Sequence, residues 1–264
     1  MTNRDRKILI EVIAQHSGIG KSLTADLIYL NSKNAHVTTS LVRIEAKRRA
    51  KTQWKDEILV HTEQFKHTGE TQGGEVGILA PLFDKIEALE AKAGVIICDW
   101  GAGLRGHRYN AFASSAIDAI LAASGIEMFS FVITNREIDK INEAAELVLS
   151  NRALLPNART IVVLNELSGS FEFPPNSESA AALTHLIVSA GPNNILKMEK
   201  IGAQGLKTFD SLGLPLNQLV SSAPKEVATV LGIGHFTAVA ALSNLAVFLK
   251  KMDDQMTQVF SFQP

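Results

Sequence analysis

Glycines, a lysine and a serine at fixed spacing are the residues of this chain best suited to chemistry. Residues 7–22 read KILIEVIAQHSGIGKS, so an apolar β-like run opens into a glycine-rich loop that ends in Gly20, Lys21 and Ser22. A strand, such a loop and a following helix aim several backbone N–H groups at one spot, where the helix N-terminus adds partial positive charge. Lys21 would then reach the β- and γ-phosphates of a nucleotide, and the Ser22 hydroxyl would ligate Mg²⁺. The pattern predicts a nucleotide phosphate site.

The loop departs from the usual pattern G-x-x-x-x-G-K-[ST] at its first position, where Gln15 stands in place of glycine. ParA/MinD-family ATPases have a deviant form of this Walker A loop, roughly K-G-G-x-G-K-[ST], and this chain resembles it over residues 18–22. His16 then occupies the position of the family's signature lysine, and Ser17 occupies that of the first glycine. The alternative is a tight strand-to-helix turn that binds nothing.

A second acidic motif follows later in the chain. Residues 95–99 read VIICD and are followed by Gly101 and Gly103, which resembles the family's motif of four apolar residues, D-x-x-x-G. The resemblance assigns Asp99 to the Mg²⁺ shell, usually through water, and the Gly101 and Gly103 region to sensing the γ-phosphate. The alternative is a strand followed by a flexible turn.

Two later segments occur in the order that the family uses. Residues 130–137, SFVITNRE, resemble the strand and T-N-x-E stretch that precedes a helix in MinD-like proteins. Residues 160–166, TIVVLNE, resemble the strand whose terminal Asn, here Asn165, recognises the adenine edge. An Asn at a strand end is also a common turn former. The nucleotide contacts that the resemblance implies are Ser17, Gly18, Ile19, Gly20, Lys21, Ser22, Leu23 and Asn165.

Hydrolysis depends on one further position. In this family a strand after the first helix ends in D-x-D, whose second acid helps to orient the attacking water. Counting without gaps from Lys21 places Arg43 and Glu45 there, so Glu45 would supply the carboxylate while Arg43 reverses the charge of the first acid. The alternative is a surface Glu45 beside the basic residues 47–49. The implied catalytic residues are Lys21, Glu45 and Asp99.

Composition predicts a single compact domain over residues 1–264, and the loop described above would make it a nucleotide-binding domain. The chain is 46% hydrophobic and 6% aromatic, with a formal net charge of −1, and a domain of this size buries roughly 75% of its unfolded surface. The single cysteine, Cys98, lies in an apolar run and can form no bridge within the chain, which fits a reducing compartment. The N-terminal residues lack a signal-peptide core and no apolar run reaches the ~18 residues of a membrane span, so we expect a cytoplasmic protein.

Short apolar runs alternate with helical periodicity, which predicts an α/β fold: a mainly parallel twisted sheet flanked by helices on both faces. The resemblance narrows this to the P-loop NTPase fold of SIMIBI type. Predicted strands cover residues 7–14, 37–45, 57–61, 95–99, 127–134, 160–165 and 195–199. Predicted helices cover residues 21–31, 77–92, 111–123, 137–150, 178–190, 203–212 and 236–254. The last helix is expected to pack on the core rather than on a membrane, because its apolar face is nearly continuous.

Two basic clusters could contact DNA or an acidic partner. The first has five cations between Lys47 and Lys55, and a solvated helix face is its alternative. The second, Arg105, His107 and Arg108, follows the Asp99 motif at a position that favours contact with a partner or an opposite subunit. A sequence pI near 6.7 gives no global attraction to nucleic acid. Histidine and cysteine spacing indicates no metal beyond Mg²⁺.

The resemblance implies an ATP-binding switch protein with weak ATPase activity in plasmid partition, stability or conjugal transfer, with StbB/TraL-like proteins as the nearest branch. ATP and Mg²⁺ would favour a nucleotide-sandwich homodimer that engages DNA or a protein adaptor until hydrolysis releases it. His16 bears on this cycle, because the signature lysine reaches the other subunit's phosphates and histidine is mostly neutral at pH 7. The alternatives are a nucleotide-binding scaffold without hydrolysis and a metabolic P-loop synthetase or ligase.

Overall fold

A parallel sheet carries the loops identified above. The structure, a computed structural model, describes residues 6–45, 54, 57–61, 63–66, 72–201 and 216–260. Its strands are β1 (Lys7–Ile13), β2 (Thr39–Glu45), β3 (Glu57–His61), β4 (Gly94–Trp100), β5 (Glu127–Thr134), β6 (Arg159–Asn165) and β7 (Ile195–Met198). They form one sheet in the order β3-β2-β4-β1-β5-β6-β7, and every neighbouring pair is parallel. The chain builds β2, β3 and β4 on one side of β1 and then crosses from β4 to β5 on its other side. The strand order therefore reverses at β1, whose carboxyl end borders the crevice where such sheets bind ligands.

Helices cover both faces of this sheet. They are α1 (Lys21–Asn34), α2 (Gly74–Ile78), α3 (Ala80–Ala91), α4 (Arg105–Ser114), α5 (Ile117–Ala123), α6 (Ile138–Leu154), α7 (Glu178–Ala190), α8 (Leu216–Ser221), α9 (Pro224–Leu231) and α10 (His235–Phe260). Alternate residues of β1 point to opposite faces: Ile8 and Ile10 join a core with α1 and α8–α10, and Leu9 joins a core with α3–α7. The predicted α/β fold is confirmed.

The predicted and observed elements differ in three helical regions. Helices α8 and α9 have no predicted counterpart. Each predicted strand begins and ends within two residues of an observed one. The single helix predicted over 111–123 is wrong, because α4 begins at Arg105 and is separated from α5 by Ala116, whose φ is 50°. The helix predicted over 77–92 is interrupted at Leu79, between α2 and α3. The predicted helix 203–212 lies outside the described residues.

The closing helix α10 confirms the prediction of a core-packed helix. Its buried residues, which include Leu245, Phe248 and Met252, belong to the core shared with α1. In the described ranges no single helix has the length and apolar character needed to cross a membrane; α9 and α10, bent by 110°, meet that test only as a pair.

The structure corrects the prediction for Arg108, which is 1% exposed and cannot contact a partner. Its Nε donates to Glu11 Oε2 at 2.7 Å, in the middle of β1. Glu11 Oε1 also accepts from Ser130 Oγ at 2.6 Å, and Asn151 Nδ2 donates to that hydroxyl at 2.7 Å. Buried charges are tolerated when they are paired in this way, so Arg108 anchors α4 to the central strand.

The other basic residues of this cluster face acids of the same chain. Arg105 lies 3.9 Å from Glu146, and His107 Nδ1 lies 3.3 Å from a carboxylate oxygen of Glu75. The Lys47–Lys55 cluster lies outside the described residues.

Candidate functional site

The glycine-rich loop connects β1 to α1 at the carboxyl edge of the sheet. Gly20 is the N-cap residue of α1 and has a φ of 96°. The first helical hydrogen bond runs from Thr24 N to Gly20 O at 2.9 Å, so the N–H groups of residues 21–23 have no acceptor within the helix. The first turn of α1 carries no acidic side chain, and no side chain caps it. This helix end therefore presents donors and partial positive charge to the loop.

Lys21 is buried beside these donors. Its Nζ donates to the backbone carbonyl of His16 across the loop. Burial lowers the pKa of Lys21, and the nearby carboxylates of Asp99 and Glu45 oppose that shift. An amine that is held by one carbonyl can turn to a phosphate, and this is the role that the sequence predicts for Lys21.

Three predicted residues meet at adjoining strand ends. Glu45 closes β2 and is half-buried, Asp99 lies near the end of β4, and both carboxylates act on the Lys21 amine. Gly101 holds the chain after Asp99 to β2, because its N–H donates to Ile44 O at 2.7 Å. A Cβ on Gly101 would lie 2.5 Å from that oxygen, so this approach requires glycine. The structure thus places Lys21, Glu45 and Asp99 at the same edge of the sheet.

Asp99 has a partner that the sequence did not predict. The strand register places Arg43 of β2 opposite Asp99, and Arg43 Nη1 donates to Asp99 Oδ2 at 2.6 Å. Asp99 is 2% exposed and Arg43 is fully buried. The reversed charge at position 43 is therefore a buried cation bound to the acid that the family resemblance assigns to Mg²⁺.

Arg43 also holds carboxylates of two further elements. It donates to Asp26 of α1, and its Nε lies 3.0 Å from Glu57 Oε1 at the start of β3. Trp54 Nε1 donates to the same Asp26 oxygen at 2.8 Å. Burial would lower the pKa of Arg43, but the surrounding carboxylates outweigh it and raise the pKa. A lone arginine within the apolar run of β2 is a signal that could have indicated such a pairing.

Asn165, which the resemblance assigns to adenine recognition, is hydrogen-bonded to the glycine-rich loop. Its Nδ2 donates to the carbonyl of Ile19 at 2.8 Å, and its Oδ1 accepts from Leu167 N at 2.9 Å. A contact with an adenine edge would require Asn165 to exchange one of these bonds, so that role stays a prediction. Of the other predicted nucleotide contacts, Ser17 and Gly18 are exposed, Ser22 and Leu23 are half-buried, and the Ile19 side chain is buried in the core.

His16, at the signature-lysine position, is bound within its own chain. Its Nε2 lies 2.8 Å from Glu143 Oε1 on α6. The other oxygen of Glu143 lies 3.7 Å from the amine of Lys140. The sequence did not predict a role for Glu143.

The residues at this site fit a Mg²⁺ ion that is shared with a nucleotide. Mg²⁺ takes oxygen ligands and usually keeps several waters, and Ser22 and Asp99 offer a hydroxyl and a carboxylate. Arg43 bonds Asp99 through Oδ2, so a metal would share this carboxylate with the guanidinium. In the described part of the chain no three His, Cys, Asp or Glu side chains are grouped to hold a metal alone, so the remaining ligands would come from the nucleotide and water.

Several solved structures are similar to this chain, although no protein-family model and no curated protein sequence matches it. The ParA family ATPase from Chlorobium tepidum TLS is 13% identical, with a TM-score of 0.54 over 97% of this chain and 99% of that one. A plasmid partition protein from Borrelia burgdorferi is 12% identical, with a TM-score of 0.48 over 74% and 90% of the two chains. The McdA–ATP complex from Cyanothece is 12% identical, with a TM-score of 0.45 over 87% and 98%.

At 13% identity the first of these similarities speaks for the fold. It covers nearly the whole of both chains and includes the seven-stranded parallel sheet described above. The chain therefore has the fold of a ParA-family P-loop ATPase.

Proposed function

We propose that this chain is an ATP-binding switch protein of ParA type, a single domain that binds ATP with Mg²⁺ at the loop before α1. The observation that carries the proposal is the buried Lys21 amine, which faces into the loop at the open N-terminus of α1. The carboxylates of Asp99 and Glu45 raise the pKa of that amine against the effect of burial. Phosphoryl transfer requires mainly positioning and charge neutralisation, and this arrangement can provide both.

Each residue has a role in this proposal. Lys21 and the first N–H groups of α1 bind the β- and γ-phosphates, and Ser22 and Asp99 hold the Mg²⁺ ion. The bound metal neutralises charge on the phosphate oxygens. Glu45 orients the water that attacks the γ-phosphate, and the resulting ATPase is slow.

The proposal extends to a nucleotide-dependent homodimer in the cytoplasm, acting in plasmid partition, stability or conjugal transfer through DNA or a protein adaptor. The resemblance of the loop and the later motifs supports this part. Because His16 is bound to Glu143 of its own chain, a contact from His16 to a second subunit's phosphates requires that bond to open.

A scaffold that binds nucleotide without hydrolysing it is a second candidate. The hydrogen bond from Arg43 to Asp99 favours it, because one oxygen of the predicted Mg²⁺ ligand is already engaged. Phosphate release from ATP by the purified protein, measured with and without DNA, separates the two functions.

Lys21→Ala tests nucleotide binding. We expect the variant to lose at least about tenfold in affinity for a fluorescent ATP analogue with Mg²⁺, since a charge-assisted hydrogen bond to phosphate is worth roughly 1.5–3 kcal/mol. Lys33→Ala is the matched control: it removes a lysine near the other end of α1, roughly 18 Å away at 1.5 Å per residue, and should bind as the wild type does. Equal affinity in Lys21→Ala and wild type would end the assignment.

A further inference from the structure

We propose that Arg43 is the counter-ion of Asp99 in the metal-free protein and sets the Mg²⁺ concentration at which nucleotide binds, because the guanidinium and the metal compete for one carboxylate. This inference rests on the proposed function. Arg43 is in this sense a positioning residue, since it acts on the metal site through Asp99.

The geometry around Arg43 supports this role. Its Nη1 bonds Asp99 Oδ2 at 2.6 Å, and its Nη2 bonds Asp26. The guanidinium therefore joins β2 to the end of β4 and to α1, the helix that begins at the phosphate loop. Arginine can hold two carboxylates at once because its donors form a planar fork, which lysine lacks.

The charge balance explains why the metal would still bind. Asp26, Glu57 and Asp99 have side chains that are 6%, 3% and 2% exposed, and one guanidinium faces all three. Glu57 Oε2 is buried without a hydrogen-bond partner in the described structure. Because Asp26 and Glu57 share the guanidinium, Arg43 keeps two carboxylate partners when a divalent cation takes its place at Asp99.

The competition has a direction that can be measured. While Arg43 is present, its positive charge lowers the negative potential at Asp99 and weakens the attraction for Mg²⁺. Removing the charge at position 43 takes this opposing positive charge away from Asp99, so Mg²⁺ binds more tightly even as the protein loses stability. A purely structural role for Arg43 predicts the loss of stability alone.

The experiment is a titration of Mg²⁺ into protein with a fixed concentration of fluorescent ATP analogue. We expect Arg43→Gln to lower the Mg²⁺ midpoint at least about tenfold, a fraction of the interaction between unit charges about 4 Å apart near a protein surface. Arg43→Lys keeps the charge and should stay within about threefold of wild type. Arg108→Gln is the matched control, because it also removes a buried arginine paired to a carboxylate but does not contact Asp99; its midpoint should be unchanged and its thermal stability lower.

The outcomes separate the two proposals. A wild type that binds no nucleotide at any Mg²⁺ concentration overturns the proposed function and this inference with it. A wild type that binds, with an unchanged or higher midpoint in Arg43→Gln, overturns this inference alone. If Arg43→Gln does not fold, Asp26→Asn replaces it. Without the Asp26 carboxylate, Arg43 interacts more strongly with Asp99, so the Mg²⁺ midpoint should rise. An unchanged or lower midpoint overturns the inference.

Discussion

Gly20 lies where the glycine-rich loop packs against Asn165 of β6. A Cβ at this position would lie 2.5 Å from Asn165 Nδ2 and 3.0 Å from Met198 Cε. The same Asn165 nitrogen bonds the carbonyl of Ile19. A side chain at Gly20 would therefore displace the amide that fixes the loop, in addition to the strain of a positive φ.

Two glycine substitutions separate these effects. Gly18→Ala meets only the cost of a positive φ, because no atom lies within 4 Å of its Cβ position, and should lose about 1–2 kcal/mol. Gly20→Ala carries that cost and also disturbs the Asn165 bond, so we expect a further loss of about 1 kcal/mol and weaker ATP binding. Urea unfolding and nucleotide titration of both variants measure the losses in stability and in ATP affinity. Equal losses in the two variants would show that the Asn165 bond does not stabilise the loop.

Helix α4 couples the chain after Asp99 to the centre of the sheet. It begins at Arg105, soon after Gly101 has bonded the end of β2. Arg108 then bonds Glu11 of β1, the strand that leads into the phosphate loop. This buried pair links two of the predicted site segments through the core, and its partners Ser130 and Asn151 extend the link to β5 and α6.

A double-mutant cycle measures what the pair contributes. Arg108→Met leaves Glu11 buried without its positively charged partner, so we expect a loss of about 3–5 kcal/mol in the free energy of unfolding. Adding Glu11→Leu removes the stranded carboxylate, and the double variant should be more stable than Arg108→Met alone. The measurement is urea unfolding of the wild type, both single variants and the double variant. A double variant whose loss equals the sum of the single losses would contradict direct coupling.

For the molecule as a whole, the proposed homodimer would use the edge of the sheet that carries the glycine-rich loop. The loop, the ends of β2 and β4 and the start of α1 lie at one edge of the sheet, and the proposed dimer would join two such edges around nucleotide. The bond between His16 and Glu143 lies at this edge. For His16 to contact a second subunit, its interaction with the nucleotide there would have to be more favourable than its bond to Glu143.

Light scattering on a sizing column tests the dimer with the Glu45→Ala protein. Slowed hydrolysis should preserve the ATP state, so we expect about twice the 28.5 kDa chain mass with ATP and Mg²⁺ and a single chain mass with ADP. Lys21→Ala added to Glu45→Ala should stay monomeric, because its phosphate contact is lost. One mass in both nucleotides would favour the scaffold or the metabolic enzyme.

Local sequence pattern was enough to predict the strands, the helical layers on both faces of the sheet and the position of the loop. Apolar runs bounded by turn residues located β1, β2, β4 and β6 within two residues, because strand formation follows from local side-chain pattern. The α4 region was missed, since the polar segment from Arg105 to Asn110 carries no clear apolar period. Lys21, Glu45 and Asp99 were predicted from the loop pattern and the family resemblance, and the parallel sheet places them at one edge.

The partners of the buried charges and of the Asn165 amide follow from tertiary packing and could not be predicted. Arg43 and Asp99 are 56 residues apart, Glu11 and Arg108 are 97 apart, and Ile19 and Asn165 are 146 apart. A local sequence pattern does not indicate which distant residues will pair. A buried polar group must have a hydrogen-bond partner, and strand register and helix packing determine which residue that is. Sequence showed that position 43 carries the wrong charge for the family, and the register of β2 against β4 showed that this charge lies on Asp99.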